Sequence, residues 1–140
     1  MISLQSKYMK LHHVGIVVDS IKLYEPIFNN LLQINNVSVP FHDEIQKVNV
    51  TFLNVGNSYI ELIEPAEKKT PVTSFLEKNG SGIHHLGFEV ENLNEEINKM
   101  EKHGAIVVCK PVLGFENRQI SFLFNDSLPV KLIELFSLPK

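Results

Sequence analysis

A recurring segment constrains this chain more than any other feature. His12-His13-Val14-Gly15-Ile16-Val17-Val18 returns 72 residues later as His84-His85-Leu86-Gly87-Phe88-Glu89-Val90. Val50-Thr51-Phe52-Leu53 returns as Ile120-Ser121-Phe122-Leu123, and Ile60-Glu61-Leu62 as Ile133-Glu134-Leu135, at offsets of 70 and 73. One period with small drift means one supersecondary module used twice, with loop insertions absorbing the difference.

Period and punctuation give each copy the order strand, helix, strands. LHHVGIVV is β-branched and alternating, and Asp19 and Ser20 are candidate caps for a helix carrying Ile21, Tyr24, Ile27, Phe28, Leu31 and Leu32. Pro26 is expected in or near its first turn, where a missing N–H costs little. KVNVTFLNV and SYIELIE, joined by Gly56-Asn57, read as a hairpin. A short helix around VTSFLEK is expected in the linker. In the second copy GIHHLGFEV leads to a helix with Leu93, Ile97 and Met100 on one face, ended by His103-Gly104, and AIVVCK, QISFLF and VKLIELF supply strands. The expectation is an α+β fold of two tandem βαβββ modules in one domain, residues 1–140. Module one spans about 10–66, the linker about 67–81 and module two about 82–138.

Bulk properties exclude several function classes. Thirteen basic against sixteen acidic residues give a net charge of -3, so no global field favours a nucleic-acid backbone. No run approaches the roughly 20 apolar residues of a membrane span, and MISLQSKYMK lacks an apolar signal core, so a cytoplasmic protein is expected. Cys109, the only cysteine, rules out an internal disulfide and any multi-cysteine zinc site. Metal chemistry must then use nitrogen and oxygen donors.

Such donors recur. Strand alternation puts His13 on one face with Gly15 and Val17, opposite Val14, Ile16 and Val18, one face packing the helix and the other staying free. Glu61 stands opposite Ile60 and Leu62, and Glu134 opposite Ile133 and Leu135. Burying a carboxylate on such a strand costs on the order of several kcal/mol unless a cation or good hydrogen bonds compensate it. A lone His or Glu in a strand is usually exposed or satisfied by a neighbour, but here the pair recurs. Two histidines and two carboxylates at repeat-equivalent positions point to one shared cation, held by His13, Glu61, His85 and Glu134 if the modules pack about a pseudo-twofold axis. Mixed imidazole and carboxylate donors suit one divalent ion, Co, Ni, Zn, Mn or Fe. His12 and His84, of opposite parity, read as packing or supporting groups.

At these residues the sequence resembles the vicinal oxygen chelate superfamily, whose members form a cupped mixed sheet around a metal from paired βαβββ modules. LHHVGIVV, YIELIEP, GIHHLGFEV and VKLIELF look like its four ligand-bearing strands. Among its branches the chain is most similar to methylmalonyl-CoA epimerases, through IELIEP, FLEKNGSGIHHLGFEV and KPVLGFENRQISFLF; short bacterial glyoxalase I enzymes compete. Two departures stand out: Asn125-Asp126-Ser127 where epimerases commonly carry His-Pro-Lys, and Lys47 where they commonly carry Gly.

The resemblance implies a metal-dependent enolising isomerase or lyase acting on a small thioester or hemithioacetal, with Glu134 as base and Glu61 as second proton carrier. It also implies a homodimer. Coenzyme A phosphates would favour cationic neighbours, for which Lys47, Lys110 and Arg118 are candidates; each could equally be an ordinary surface cation, Lys110 more so than Arg118. A non-catalytic antibiotic-binding protein is the alternative from another class, although such relatives generally lack the four ligands. A ring-cleaving dioxygenase ranks last.

Overall fold

A computed structural model describes residues 8–35 and 40–139, with the backbone alone at Phe115. The stretch MISLQSK, expected to lack a signal core, lies outside the described residues. In chain order the elements are β1 (Met9–Val17), α1 (Ile21–Leu32), β2 (Phe41–Asp43), β3 (Val48–Val55), β4 (Ser58–Pro65) and α2 (Thr73–Asn79). Then follow β5 (Gly82–Val90), α3 (Leu93–Lys102), β6 (Ile106–Leu113), a 3-10 turn (Phe115–Asn117), β7 (Gln119–Phe124) and β8 (Leu132–Ser137). Both copies therefore run β-α-β-β-β, as the repeat predicts. Among the described residues no helix is long and apolar enough to cross a membrane.

By contact density the chain forms two compact units, His13–His85 and the remainder, so that β1 and β5 each contribute residues to both. In the first unit the strand order is β2-β3-β4-β1. β1 runs parallel to β4, with Gly15 opposite Glu61, and β3 and β4 form the expected antiparallel hairpin with Phe52 opposite Glu61. Gly56 at its tip has φ 65, a conformation glycine enters without the Cβ clash other residues meet. β2 completes the expected βαβββ order, although Phe41-His42-Asp43 is too short to show a period from which its position could be read.

α1 starts where Ser20 predicts: its side chain accepts from the Leu23 N–H at 3.1 Å. A second cap comes from far along the chain, Glu64 Oε2 accepting the Ile21 N–H at 2.7 Å. Two features depart from expectation. Pro26 lies in the interior, six residues in rather than in the first turn, because the helix begins directly after its cap. The bond it forfeits falls on the exposed side, where water can reach the Lys22 carbonyl. Only part of the expected apolar stripe faces inward: Ile21, Tyr24 and Phe28 pack with Val18, Leu53 and Leu62, while Ile27, Leu31 and Leu32 are exposed.

The opposite face of this sheet is not free either, contrary to the parity argument. Val17, Val48, Val50, Ile63 and Val72 form a second buried cluster, with Phe41, Phe52, Phe75 and Leu76 against it. The linker helix α2 supplies Phe75 and Leu76, so the chain between the modules covers one end of the face that carries His13.

In the second unit β8 lies between β5 and β7, and β6 pairs with β7 through two register shifts. α3 is capped by Asn92, carries Glu95 and Glu96 in its first turn and Lys99 and Lys102 in its last, as the helix dipole favours. Its Leu93 and Ile97 pack with Val90, Leu123 and Leu135, Met100 lying against them.

Candidate metal centre

Three of the four proposed ligands belong to the first unit and converge there. β1 and β4 hold His13 and Glu61 on one face, because in the parallel register Gly15, two residues beyond His13, is level with Glu61. β5 brings in His85. His13 and His85 are 2% exposed, and the Glu61 side chain 12%. His13 Nε2 lies 3.1 Å from His85 Nε2, and Glu61 Oε1 stands 3.2 Å from His85 Nε2 and 3.7 Å from His13 Nε2.

Two buried imidazole nitrogens facing each other beside a carboxylate oxygen form an N/N/O donor set. Adjacent ligands each about 2.1 Å from one ion stand roughly 3 Å apart, a spacing that the 3.1 and 3.2 Å separations match. The His/Glu cluster thus suits a divalent metal by donor chemistry and by spacing.

Aromatic rings wall the cluster. Phe52 meets His13 edge-on at 5.9 Å, and itself stacks on Phe41 and contacts Tyr59. His85 is gripped more closely: its ring lies directly over Gly15, and its Nδ1 is 2.9 Å from His84 Nδ1. His84 in turn meets Phe75 of α2 edge-on at 5.0 Å. His84 thus bridges His85 and Phe75, whereas His12 packs its ring edge-on against Phe136.

Glu134 sits on β8 in the second unit, buried at 8% exposure, opposite Phe122 and two residues from Phe136 on the same face. Arg118, just before β7, extends along that face: its guanidinium carbon lies 4.8 Å from the Phe136 ring centroid and it pairs with Glu116 at 3.1 Å. Lys47 is placed differently. It occupies the β2–β3 turn with φ 56, the left-handed region that favours glycine, and pairs with Glu44 at 2.6 Å. The hydrogen bond to Glu44 raises its pKa above the ordinary lysine value. Lys47 precedes β3 by one residue, five positions before Phe52, the residue opposite Glu61, and so stands at the far end of that strand from the cluster. Lys110 is exposed, as expected.

Sequence reasoning missed the roles of Gly15, Phe75 and Glu64. A signal existed for the first, since the glycine recurs two residues after the second histidine in both copies.

Residues 12–122 match the family model described as the glyoxalase/bleomycin resistance protein/dioxygenase superfamily. The uncharacterized protein YqjC of Bacillus subtilis is 35% identical over 127 residues, covering 90% of each chain. The ethylmalonyl-CoA/methylmalonyl-CoA epimerase of Cereibacter sphaeroides is 31% identical over 129 residues, covering 90% of this chain and 96% of its own. Among solved structures, a methylmalonyl-CoA epimerase in complex with methylmalonyl-CoA and NH4+ superposes with a TM-score of 0.83 at 24% identity, over 95% of this chain and 96% of the other, a likeness of fold.

Proposed function

The chain belongs to the glyoxalase/bleomycin resistance protein/dioxygenase superfamily, and on that premise we propose that it is a divalent-metal-dependent epimerase of a malonyl-type acyl-CoA thioester, akin to methylmalonyl-CoA epimerase. The observation that carries the proposal is the buried convergence of His13, His85 and Glu61, in a chain 31% identical to such an epimerase over nearly its whole length. Glu134, the repeat equivalent of Glu61, is the fourth ligand in this reading.

When bound, the ion would polarise the thioester oxygen and stabilise enolate charge. The rest falls to the protein. In this reading Glu134, starting as the carboxylate, accepts the proton from the carbon between the two carbonyl groups, and Glu61, starting as the carboxylic acid, donates its proton to the other face; proton exchange with solvent then restores both groups. Glu134 is 8% exposed and the Glu61 side chain 12%, which leaves water little room to compete for the carbanion. The aromatic wall of Phe41, Phe52 and Tyr59 suits the apolar part of an acyl group. In this reading Arg118, stacked on Phe136 along the Glu134 face, holds an anionic group of the substrate, and Lys47 acts farther out.

A glyoxalase I reaction is the second reading. It is favoured by the β7–β8 loop, where Asp126 takes the Lys131 ammonium at 2.6 Å in place of the basic stretch seen in epimerases, leaving less cationic surface for coenzyme A phosphates. The two are separated by loading untagged protein with Co(II) or Ni(II) and offering methylmalonyl-CoA in one assay, methylglyoxal with glutathione in another. Epimerisation without lactoylglutathione supports the proposal, and the reverse replaces it with glyoxalase I. Protein that takes up no metal and turns over neither substrate leaves a binding protein.

A further inference from the structure

We infer that His84 is a positioning residue that fixes His85 in the one tautomer able to bind an ion through Nε2. The inference rests on the proposed reading of His85 as a ligand and goes beyond it, because His84 itself touches no ion in that reading.

The two Nδ1 atoms are 2.9 Å apart, a hydrogen bond that only one proton can make. Each ring, when neutral, carries a single N–H, so choosing which Nδ1 donates settles both tautomers. If His85 Nδ1 donates, His85 Nε2 is a bare lone pair facing His13 Nε2 and Glu61 Oε1, and the His84 proton sits on its Nε2. If His84 Nδ1 donates, the His85 proton is driven onto Nε2, pointing into the cluster, and ligation is blocked. The pairing thus behaves as one coupled choice. Ligand histidines generally need such an outer partner to set the tautomer and ring orientation.

The geometry holds the rings ready for that choice. The two imidazoles are nearly perpendicular, at 86°, with centroids 5.1 Å apart. Phe75 braces His84 edge-on, and Gly15 lies against the His85 ring. Phe75 belongs to α2, so the helix linking the two modules sets the second-copy ligand through His84.

The test uses two variants and the metal alone. His84→Phe keeps a ring against Phe75 but removes the acceptor; His84→Asn keeps an acceptor near the Nδ1 position. Co(II) affinity measured by chelator competition should fall by roughly 10- to 100-fold in His84→Phe and recover in His84→Asn. Equal affinity in wild type and His84→Phe overturns the inference. Should His84→Phe not fold, long-range 15N NMR of the metal-free wild type decides: protons on His85 Nδ1 and His84 Nε2 support it, the reverse pair overturns it. Failure of the wild type to bind Co(II) at all would instead sink the metal reading of the cluster.

Discussion

Gly15 and His85 are in direct van der Waals contact: a Cβ on Gly15 would stand 2.2 Å from His85 Cε1, 2.5 Å from Nδ1 and 2.6 Å from Nε2. The space above the Gly15 Cα is therefore occupied by the imidazole itself. Neither flexibility nor a positive φ explains this glycine; close approach does. Gly15→Ala should push the ring away from His13 and Glu61, costing about 1–3 kcal/mol of stability and most of the metal affinity. Urea unfolding and metal titration on the same preparation check both, and a variant that binds metal like the wild type would show that His85 can be displaced without harm.

The ligand set itself makes a stricter demand. His13→Ala combined with His85→Ala should eliminate stoichiometric metal, because it removes both nitrogens that face each other at 3.1 Å. Elemental analysis after dialysis reads this directly. Retention of one ion per chain would contradict the assignment.

Arg118→Met removes a charge from the Glu134 face while keeping an apolar side chain on Phe136. If Arg118 holds an anionic part of the substrate, KM for methylmalonyl-CoA should rise about ten-fold or more, the scale of one charge-assisted hydrogen bond of about 1.5 kcal/mol, with kcat changed much less. An unchanged KM would leave Arg118 as a packing residue.

Away from the site, the α1 cap offers a purely structural check. Ser20→Ala should cost about 1 kcal/mol, and Glu64→Gln should weaken the second cap by exchanging a carboxylate for a neutral acceptor at the Ile21 N–H. Thermal melts should show both losses while metal binding stays as in the wild type.

What the sequence revealed, and what it hid, follows from the range of each interaction. The two β-α-β-β-β copies were legible because duplication turns weak strand signals into a pattern, and because Ser20, Gly56 and Gly104 mark their boundaries locally. The position of β2 was not, since three residues carry no period. Strand parity set His13 apart from Val14 and Ile16, and Glu61 apart from Ile60 and Leu62, yet parity does not say what covers a face, so the α2 side chains packed there were missed. The inward residues of α1 were only half predicted: Tyr24 and Phe28 face the sheet, but Ile27 and Leu31 are equally apolar and point to solvent, a choice made by packing rather than by hydropathy. The capping role of Glu64 left no local signal, because its partner, the Ile21 N–H, is 43 residues away in the chain. The departure at Lys47 acquires a physical sense only with its φ of 56.

The central claim, that this chain enolises a malonyl-type thioester with Glu134 as base, is tested most directly by proton exchange. Metal-loaded wild-type protein incubated with methylmalonyl-CoA in deuterated water should place deuterium on the α-carbon, and Glu134→Gln, still folded, should not. Wild-type protein carrying a full complement of metal yet leaving the α-carbon unlabelled would contradict the claim, and exchange undiminished in Glu134→Gln would contradict the assigned base.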